Sequence, residues 1–429
     1  MTAHAKLSAS SSKRWLSCPA SVPLSDGIKR TTSKFAAEGT AAHALGEYCL
    51  KNDFLDPHEC IGFTAEQLGE DFGDYTVDTD MANHITLYVD TIKMDHMLNF
   101  DSDAEMGIET QVRLKHLETD VSGPLFGTND CSMVSMFIRL GVYDLKYGKH
   151  VEVLAENNTQ GLFYALGAWY DADKSTDENE IIIIQPRLGD YNARVKRWEF
   201  SSEVLEEYEV KLKKGIARVE EAYEVIAEAE ELHGCEFDEL DSQLQLEILG
   251  DLMQVSDEGC KFCSKKATCP KIFEDTMSDA MADFSPEGEV DFPDIKELSN
   301  KQTLQILNNA KRIIDYVKSV QSYAHDEAMA GTTVPGHKLV RGKSNRVWTN
   351  PDKIAAALIK LKPKLKAQIK FTEVKVISPA QFEKIAGKDT AKHLITKPDG
   401  KLTLVKNSHK GQEVKPAHDD FDDDLDMFE

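Results

Sequence analysis

Apolar residues recur at helical spacing in several long stretches. Leu205, Tyr208, Leu212, Ile216, Val219, Tyr223 and Ile226 predict a charged helix over 203–232, stopped by His233-Gly234. Leu304, Leu307, Ile314, Val317 and Val320 give the core-facing stripe of a second helix, Asn300 to Ala330. Helices are also expected at 81–98, from Glu156 to Asp171, and in the lysine-rich stretch 351–369. Near the start, serines offer an N-cap and Trp15 and Leu16 an apolar face, so a short helix should end near Cys18-Pro19. Strand patterns alternate with these. Gly107 to Leu114 has period two, a second strand carries Asp130 after the Gly127 turn, and Arg139 to Lys146 forms a third, predicting an antiparallel meander. Ile181 to Gln185 reads as a buried strand ending at Pro186, and 194–200 as another.

Composition narrows the class. Of 429 residues, 41% are hydrophobic, which suits a globular chain of two or three domains. The longest aliphatic run, Ile181 to Ile184, is far too short for a membrane span. Met1 to Ser12 is polar without an apolar core, so no secretory signal is expected, and the compartment should be a reducing cytoplasm. There the eight cysteines are expected free or metal-bound rather than paired. The net charge of −24 is uneven: 301–418 carries +14, 419–429 carries −7, and 1–300 carries −31. The basic region is either a nucleic-acid contact or a lysine-rich solvated surface. The acidic tail, with Phe421, Leu425, Met427 and Phe428 interspersed, is expected to be disordered and suited to docking on a basic groove.

The candidate chemistry centres on Gly127-Thr128-Asn129-Asp130 and Val142-Tyr143-Asp144-Leu145-Lys146. On a strand Asp144 and Lys146 share a face, and two carboxylates beside an ammonium group suit a divalent-metal hydrolase, although D-x-K also occurs by chance. In Glu38-Gly39-Thr40-Ala41-Ala42-His43, Thr40 is expected to cap a helix that puts His43 and Glu47 on one face. His43 there is a metal ligand, a proton relay or a hydrogen-bonded structural histidine. Glu109 either lies near the metal or faces solvent. Gln160 and Tyr164, four apart, line one helix face. Cys260, Cys263 and Cys269 form C-x2-C-x5-C, a strong sign of a metal or cluster site that lacks a fourth ligand; spacing does not choose between zinc and iron–sulfur. Lys338, Arg341, Lys343 and Arg346 beside Trp348 form an expected hairpin, either ordinary or suited to a phosphate backbone and a stacked base.

In this order the motifs resemble the PD-(D/E)XK nuclease superfamily, and within it the RecB-like and AddB-like exonucleases that carry an iron–sulfur cluster. The likeness is greatest to a phage-associated group that opens with a similar Leu-Ser-x-Ser…Trp-Leu-x-Cys-Pro and carries Glu-Gly-Thr-x-x-His. It covers roughly residues 7–275, with an extension to about 360. The resemblance implies an α/β restriction-endonuclease-like core, a mixed central sheet flanked by helices, with an iron–sulfur staple and a basic α+β C-terminal domain. The implied layout is a nuclease domain over 1–283, a linker over 284–299, the basic domain over 300–418 and the tail over 419–429.

The resemblance also assigns residues. His43, Asp130, Asp144 and the Leu145 carbonyl would hold Mg²⁺ or Mn²⁺, Lys146 would orient the attacking water, and Gln160 and Tyr164 would position DNA. Cys18 would join Cys260, Cys263 and Cys269 around a [4Fe–4S] cluster, with zinc the less favoured occupant. The implied activity is metal-dependent hydrolysis of DNA, as an exonuclease in phage-type replication, recombination or repair, in the host cytoplasm if phage-encoded. The DNA contact is assigned to the basic hairpin, and a single-strand-binding or recombination protein is the tail's candidate partner; an oligomer is allowed. Two other readings are a nuclease fold that binds DNA without cutting it, and an acidic mimic of DNA.

Overall fold

The computed structural model describes residues 5–28, 34–70, 73, 75–149, 151–281, 300–342, 347–348, 378, 383, 395–396 and 401–414. The chain divides into two compact units, Met1–Ile313 and Ile314–Glu429. In the first, helices α1 (Ser12–Ser17), α2 (Lys34–Lys51), α3 (Ala65–Leu68) and α4 (Thr79–Leu98) precede strands β1 (Glu105–Arg113), β2 (Phe126–Ser135) and β3 (Arg139–Leu145). Helix α5 (Thr159–Asp171) then leads to β4 (Glu178–Ile184), β5 (Val195–Phe200), α6 (Ser202–His233), α7 (Ser242–Leu249) and α8 (Pro270–Met281). Helix α9 (Asn300–Met329) spans the division between the units.

The sheet has the order β1-β2-β3-β4-β5. Strands β1 to β3 are the expected antiparallel meander; β4 runs parallel to β3 after the α5 crossover, and β5 closes antiparallel. Alternation then sorts the core into two layers. Leu140, Val142, Ile181 and Ile183 face Phe163, Leu166, Leu212 and Ile216 of α5 and α6. Tyr143, Leu145, Ile182 and Ile184 face Leu45, Ile85, Val89 and Ile92 of α2 and α4. Covered on both faces, Ile181 to Ile184 are wholly buried, which is why that strand reads as an unbroken apolar run.

Local signals set the ends. Asn158 accepts a hydrogen bond from Gly161 N at 3.0 Å, so α5 starts at Thr159 rather than Glu156. Gly234, at φ 68°, stops α6 as expected. Thr40 does not cap: α2 begins at Lys34, because the run Lys34-Phe35-Ala36-Ala37-Glu38 is rich in good helix formers and carries the helix through Gly39.

In the second unit β6 (His337–Arg341) pairs with β9 (Leu402–Lys406), and β7 (Val347–Trp348) with β8 (Ile395–Thr396). The expected hairpin over 338–348 is therefore not formed. Each of its strands bonds to one about 50 to 65 residues further on, a non-local pairing that no short-range turn signal announces. The expected linker 284–299, the helix 351–369 and the acidic tail 419–429 lie outside the described residues. No helix among the described residues is long and apolar enough to cross a membrane.

Helix α5 lies close on the sheet at Gly167, where an added Cβ would sit 2.0 Å from Val112 Cγ1 on β1. Overpacking of this kind costs about 1–3 kcal/mol, which outweighs the gain of roughly 1 kcal/mol in helix propensity. Gly167→Ala should therefore lower the urea midpoint of unfolding; an equal or higher midpoint would contradict this close approach.

Candidate metal centre

The pairing of β2 with β3 ends at Cys131 and Tyr143. One residue on, the Asp130 carboxylate takes over the ladder's role: its Oδ2 accepts from Leu145 N at 2.6 Å. Its Oδ1 lies 3.3 Å from His43 Nδ1 on α2. On the other side Asp130 faces Glu109 of β1. The registered pairs Ile108–Cys131 and Thr110–Asn129 flank that position, and Glu109 itself breaks the ladder with φ 47°. A left-handed non-glycine residue in a strand is strained, and such strain collects at functional sites. Next to Asp130, Asn129 is fully buried and neither side-chain atom has a hydrogen-bond partner among the described residues, a further local cost.

One ligand atom from each of His43, Glu109 and Asp130 lies within 4.8 Å of the others. Around an octahedral ion at ~2.1 Å, cis ligands stand ~3.0 Å and trans ligands ~4.2 Å apart, so the three would draw inward to share one cation. Two carboxylates with one imidazole suit Mn²⁺ or Mg²⁺. The electrostatics agree. Burial and the Asp130 charge push Glu109 up to about 7, against the pull of His43. Desolvation pulls His43 down, but Asp130 outweighs it and the imidazole rises to about 9. Burial alone would raise Asp130, yet His43 and Lys146 hold its carboxyl below the usual range. Three groups that modify one another's charge so strongly have much to gain from a cation.

Lys146, one residue past β3, holds a fixed position. Its Nζ lies 2.7 Å from Asp144 Oδ2 and donates to Asp144 Oδ1 at 2.9 Å and Gln160 Oε1 at 2.8 Å. Gln160 Nε2 in turn donates to Tyr164 OH at 3.2 Å. The Tyr164 ring occupies the space where a side chain at position 127 would be: a Cβ on Gly127 would meet it at 2.9 Å. Thus Gln160, Tyr164, Gly127, Asp144 and Lys146, scattered over 38 residues, form one assembly. Asp144 is buried, with its pKa raised by burial despite Lys146, and it is not one of the three residues around the candidate cation position. Glu109 is the residue that the sequence left undecided, and no periodicity announces its backbone conformation.

The three candidate ligands and Lys146 open into a cavity of about 1220 Å³. His43, Glu109, Asp130 and Leu145 line it with Glu38, Glu47 and Glu70, and Lys146, Lys149 and Arg187 add positive charge. Arg187 is pinned by Glu38 at 2.9 Å and lies over the Tyr147 ring, 4.5 Å from its centroid. Its Nε is buried without a hydrogen bond among the described residues. The cavity therefore offers an acidic group for a cation beside basic groups for an anion.

Cys18, Cys260, Cys263 and Cys269 line a second, small cavity together, although Cys18 precedes the other three by more than 240 residues. Backbone amides point at the sulfurs: Gln254 N donates to Cys18 Sγ at 3.5 Å and Ser256 N to Cys260 Sγ at 3.4 Å. Burial raises the Cys18 and Cys260 thiols and pushes Cys269 up to about 11, while these amides act the other way. Of the proposed nucleic-acid residues, Lys338 is half-buried on β6, Arg341 is exposed at its end, and Trp348 belongs to β7. Lys343 and Arg346 lie outside the described residues.

Fold and site together define a mixed α/β protein with a histidine–carboxylate centre where two strands of its sheet part. Within that class, the family described as "Protein of unknown function (DUF2800)" matches residues 4–412, and the chain belongs to it.

A cation at this centre must displace protons from Glu109, at about 7, and His43, at about 9. Both ligands bind only when deprotonated, so proton competition weakens as pH rises. Mn²⁺ affinity measured by calorimetry should therefore increase between about pH 6 and pH 9, and Glu109→Gln should weaken it at least about tenfold. Affinity independent of both pH and Glu109 would contradict this ligand set.

Proposed function

We propose that the protein is a metal-dependent deoxyribonuclease on a PD-(D/E)XK core, of the RecB-like kind with an iron–sulfur cluster. The observation that carries this reading is the convergence of two sets on one cavity. His43, Glu109 and Asp130 meet at a cation-sized spacing, and Lys146 is fixed between Asp144 and Gln160 at its edge.

A Mg²⁺ or Mn²⁺ ion bound by His43, Glu109 and Asp130 supplies a Lewis acid, which acidifies water and offsets charge on a phosphate. The chain does the rest. Lys146 donates toward the attacking water or the phosphate oxygen, and its two partners keep the ammonium group from turning away. Asp144, expected as a ligand, is assigned here to holding Lys146, with Gln160 and Tyr164 completing the brace. Lys149, which lines the same cavity, is assigned with Lys146 to receiving the phosphate, while Arg187 stays paired with Glu38. Glu38, Glu47 and Glu70 line the cavity as well, so the cation is what offsets the acidity of the site toward a phosphate.

The four cysteines are assigned to a cluster in preference to tetrahedral zinc. Sulfurs around zinc at ~2.3 Å would stand ~3.8 Å apart. Among the described residues, no three of these sulfurs lie within 4.8 Å of one another. A cluster binds each thiolate on a separate iron and accepts the backbone N–H groups aimed at its sulfurs. Its role is a staple, joining the segment after α1 to the loop before α8.

The test uses end-labelled single- and double-stranded DNA with Mn²⁺ or Mg²⁺. Wild type should cut, and Asp130→Asn and Lys146→Ala should each lose about 10²-fold or more in rate with unchanged circular dichroism. DNA left intact by wild type would instead favour a non-cutting binder. Anaerobically purified protein should be brown, with iron and sulfide in equal amounts, and Cys260→Ala should bleach it. Colourless protein holding only zinc would overturn the cluster.

A further inference from the structure

The turn between the first two clustered cysteines reaches the other cavity. Cys263 N donates to Cys260 O at 3.3 Å, closing a tight turn with Lys261 and Phe262 at its tip. Phe262 is 79% exposed, yet it lines the same cavity as Asp130 and Lys146. Val151 and Val153 line that cavity as well, and Val151 is itself 48% exposed. A cavity with charged groups inside therefore has an apolar component that includes one free aromatic ring. The Lys261 ammonium lies 5.3 Å from the centre of that ring.

This division of polarity matches a nucleotide. The phosphate belongs among Lys146, Lys149 and the acidic group, and the base needs an apolar surface a short distance away. Aromatic rings take bases of any sequence by stacking, because every base has a π face. A base inside a duplex is already stacked on both sides, so only an unpaired nucleotide has a face to give. A phenylalanine contributes nothing to ligation, but a turn flanked by cysteines on both sides fixes the backbone that presents its ring.

Resting on the nuclease reading, we propose that Phe262 is the stacking platform for an unpaired base beside the scissile phosphate, and that the substrate is single-stranded DNA or a frayed end. The cysteine staple positions this platform, so the four cysteines serve substrate binding as well as folding.

The experiment compares wild type, Phe262→Ala and Phe262→Trp as full-length, cluster-loaded protein. Binding is read by fluorescence anisotropy in Ca²⁺ with a labelled single-stranded oligonucleotide and with the same strand made abasic. Phe262→Ala should bind the strand with bases about tenfold more weakly and the abasic strand as wild type does, while Phe262→Trp keeps wild-type affinity. In Mn²⁺ the alanine variant should show a raised KM at unchanged kcat. If wild type cuts DNA but Phe262→Ala binds both strands as wild type does, or loses both equally, the platform is wrong and the nuclease reading stands. If wild type neither binds nor cuts either strand, both fall together.

Discussion

Asp130 divides its two oxygens between a strand and a helix, and the site depends on that division. Where β2 and β3 cease to pair, Oδ2 takes the Leu145 amide. Oδ1 faces the His43 imidazole across the gap to α2. Without this carboxylate, a buried amide and an imidazolium would both lose their partner, and an unpaired buried group costs more than an average hydrogen bond contributes. The same contact separates the two aspartates electrostatically. Asp130 is held low by His43 and Lys146, whereas Asp144, deeper and beside the Asp130 charge, is pushed up. Neighbouring carboxylates driven in opposite directions are a recurrent basis for dividing roles in a site.

Local costs gather at this point and not elsewhere in the sheet. Glu109 adopts a left-handed backbone inside a strand, and Asn129 is buried without hydrogen-bond partners among the described residues. Both flank Asp130. The middle of the sheet is conventional: β3 and the isoleucine run that ends β4 are buried between two covered faces. A stable frame that concentrates strain in one place is what a site preorganised for a ligand requires.

Much of the frame was legible because it rests on periodicity. The helical stripe from Leu205 to Ile226 reports a buried face directly, and the unbroken apolar run Ile181 to Ile184 reports a strand covered on both faces. The pairs Asp144–Lys146 and Gln160–Tyr164 were legible for a related reason, since strand and helix spacing place each on one face, but the Lys146–Gln160 contact that joins them, and Asp144's place in it rather than as a ligand, were not. Glu109 stayed undecided because its position depends on a ladder break that no residue type encodes. Thr40 misled because a capping residue type says nothing when better helix formers precede it. The basic strands around Lys338 and Trp348 pair with segments far along the chain, which short-range turn chemistry does not foresee. Phe262 carried no signal in the sequence, because only the folded chain brings the cysteine turn to the cavity of Asp130.

The central claim is that one cation sits among His43, Glu109 and Asp130. Diffraction from crystals soaked in Mn²⁺, collected at the manganese absorption edge, tests it without reference to any substrate. The expected result is one strong anomalous peak within ligand distance of all three side chains, with Lys146 still on Asp144 and Gln160. A peak elsewhere with none among these three, or no peak at saturating Mn²⁺, would contradict it.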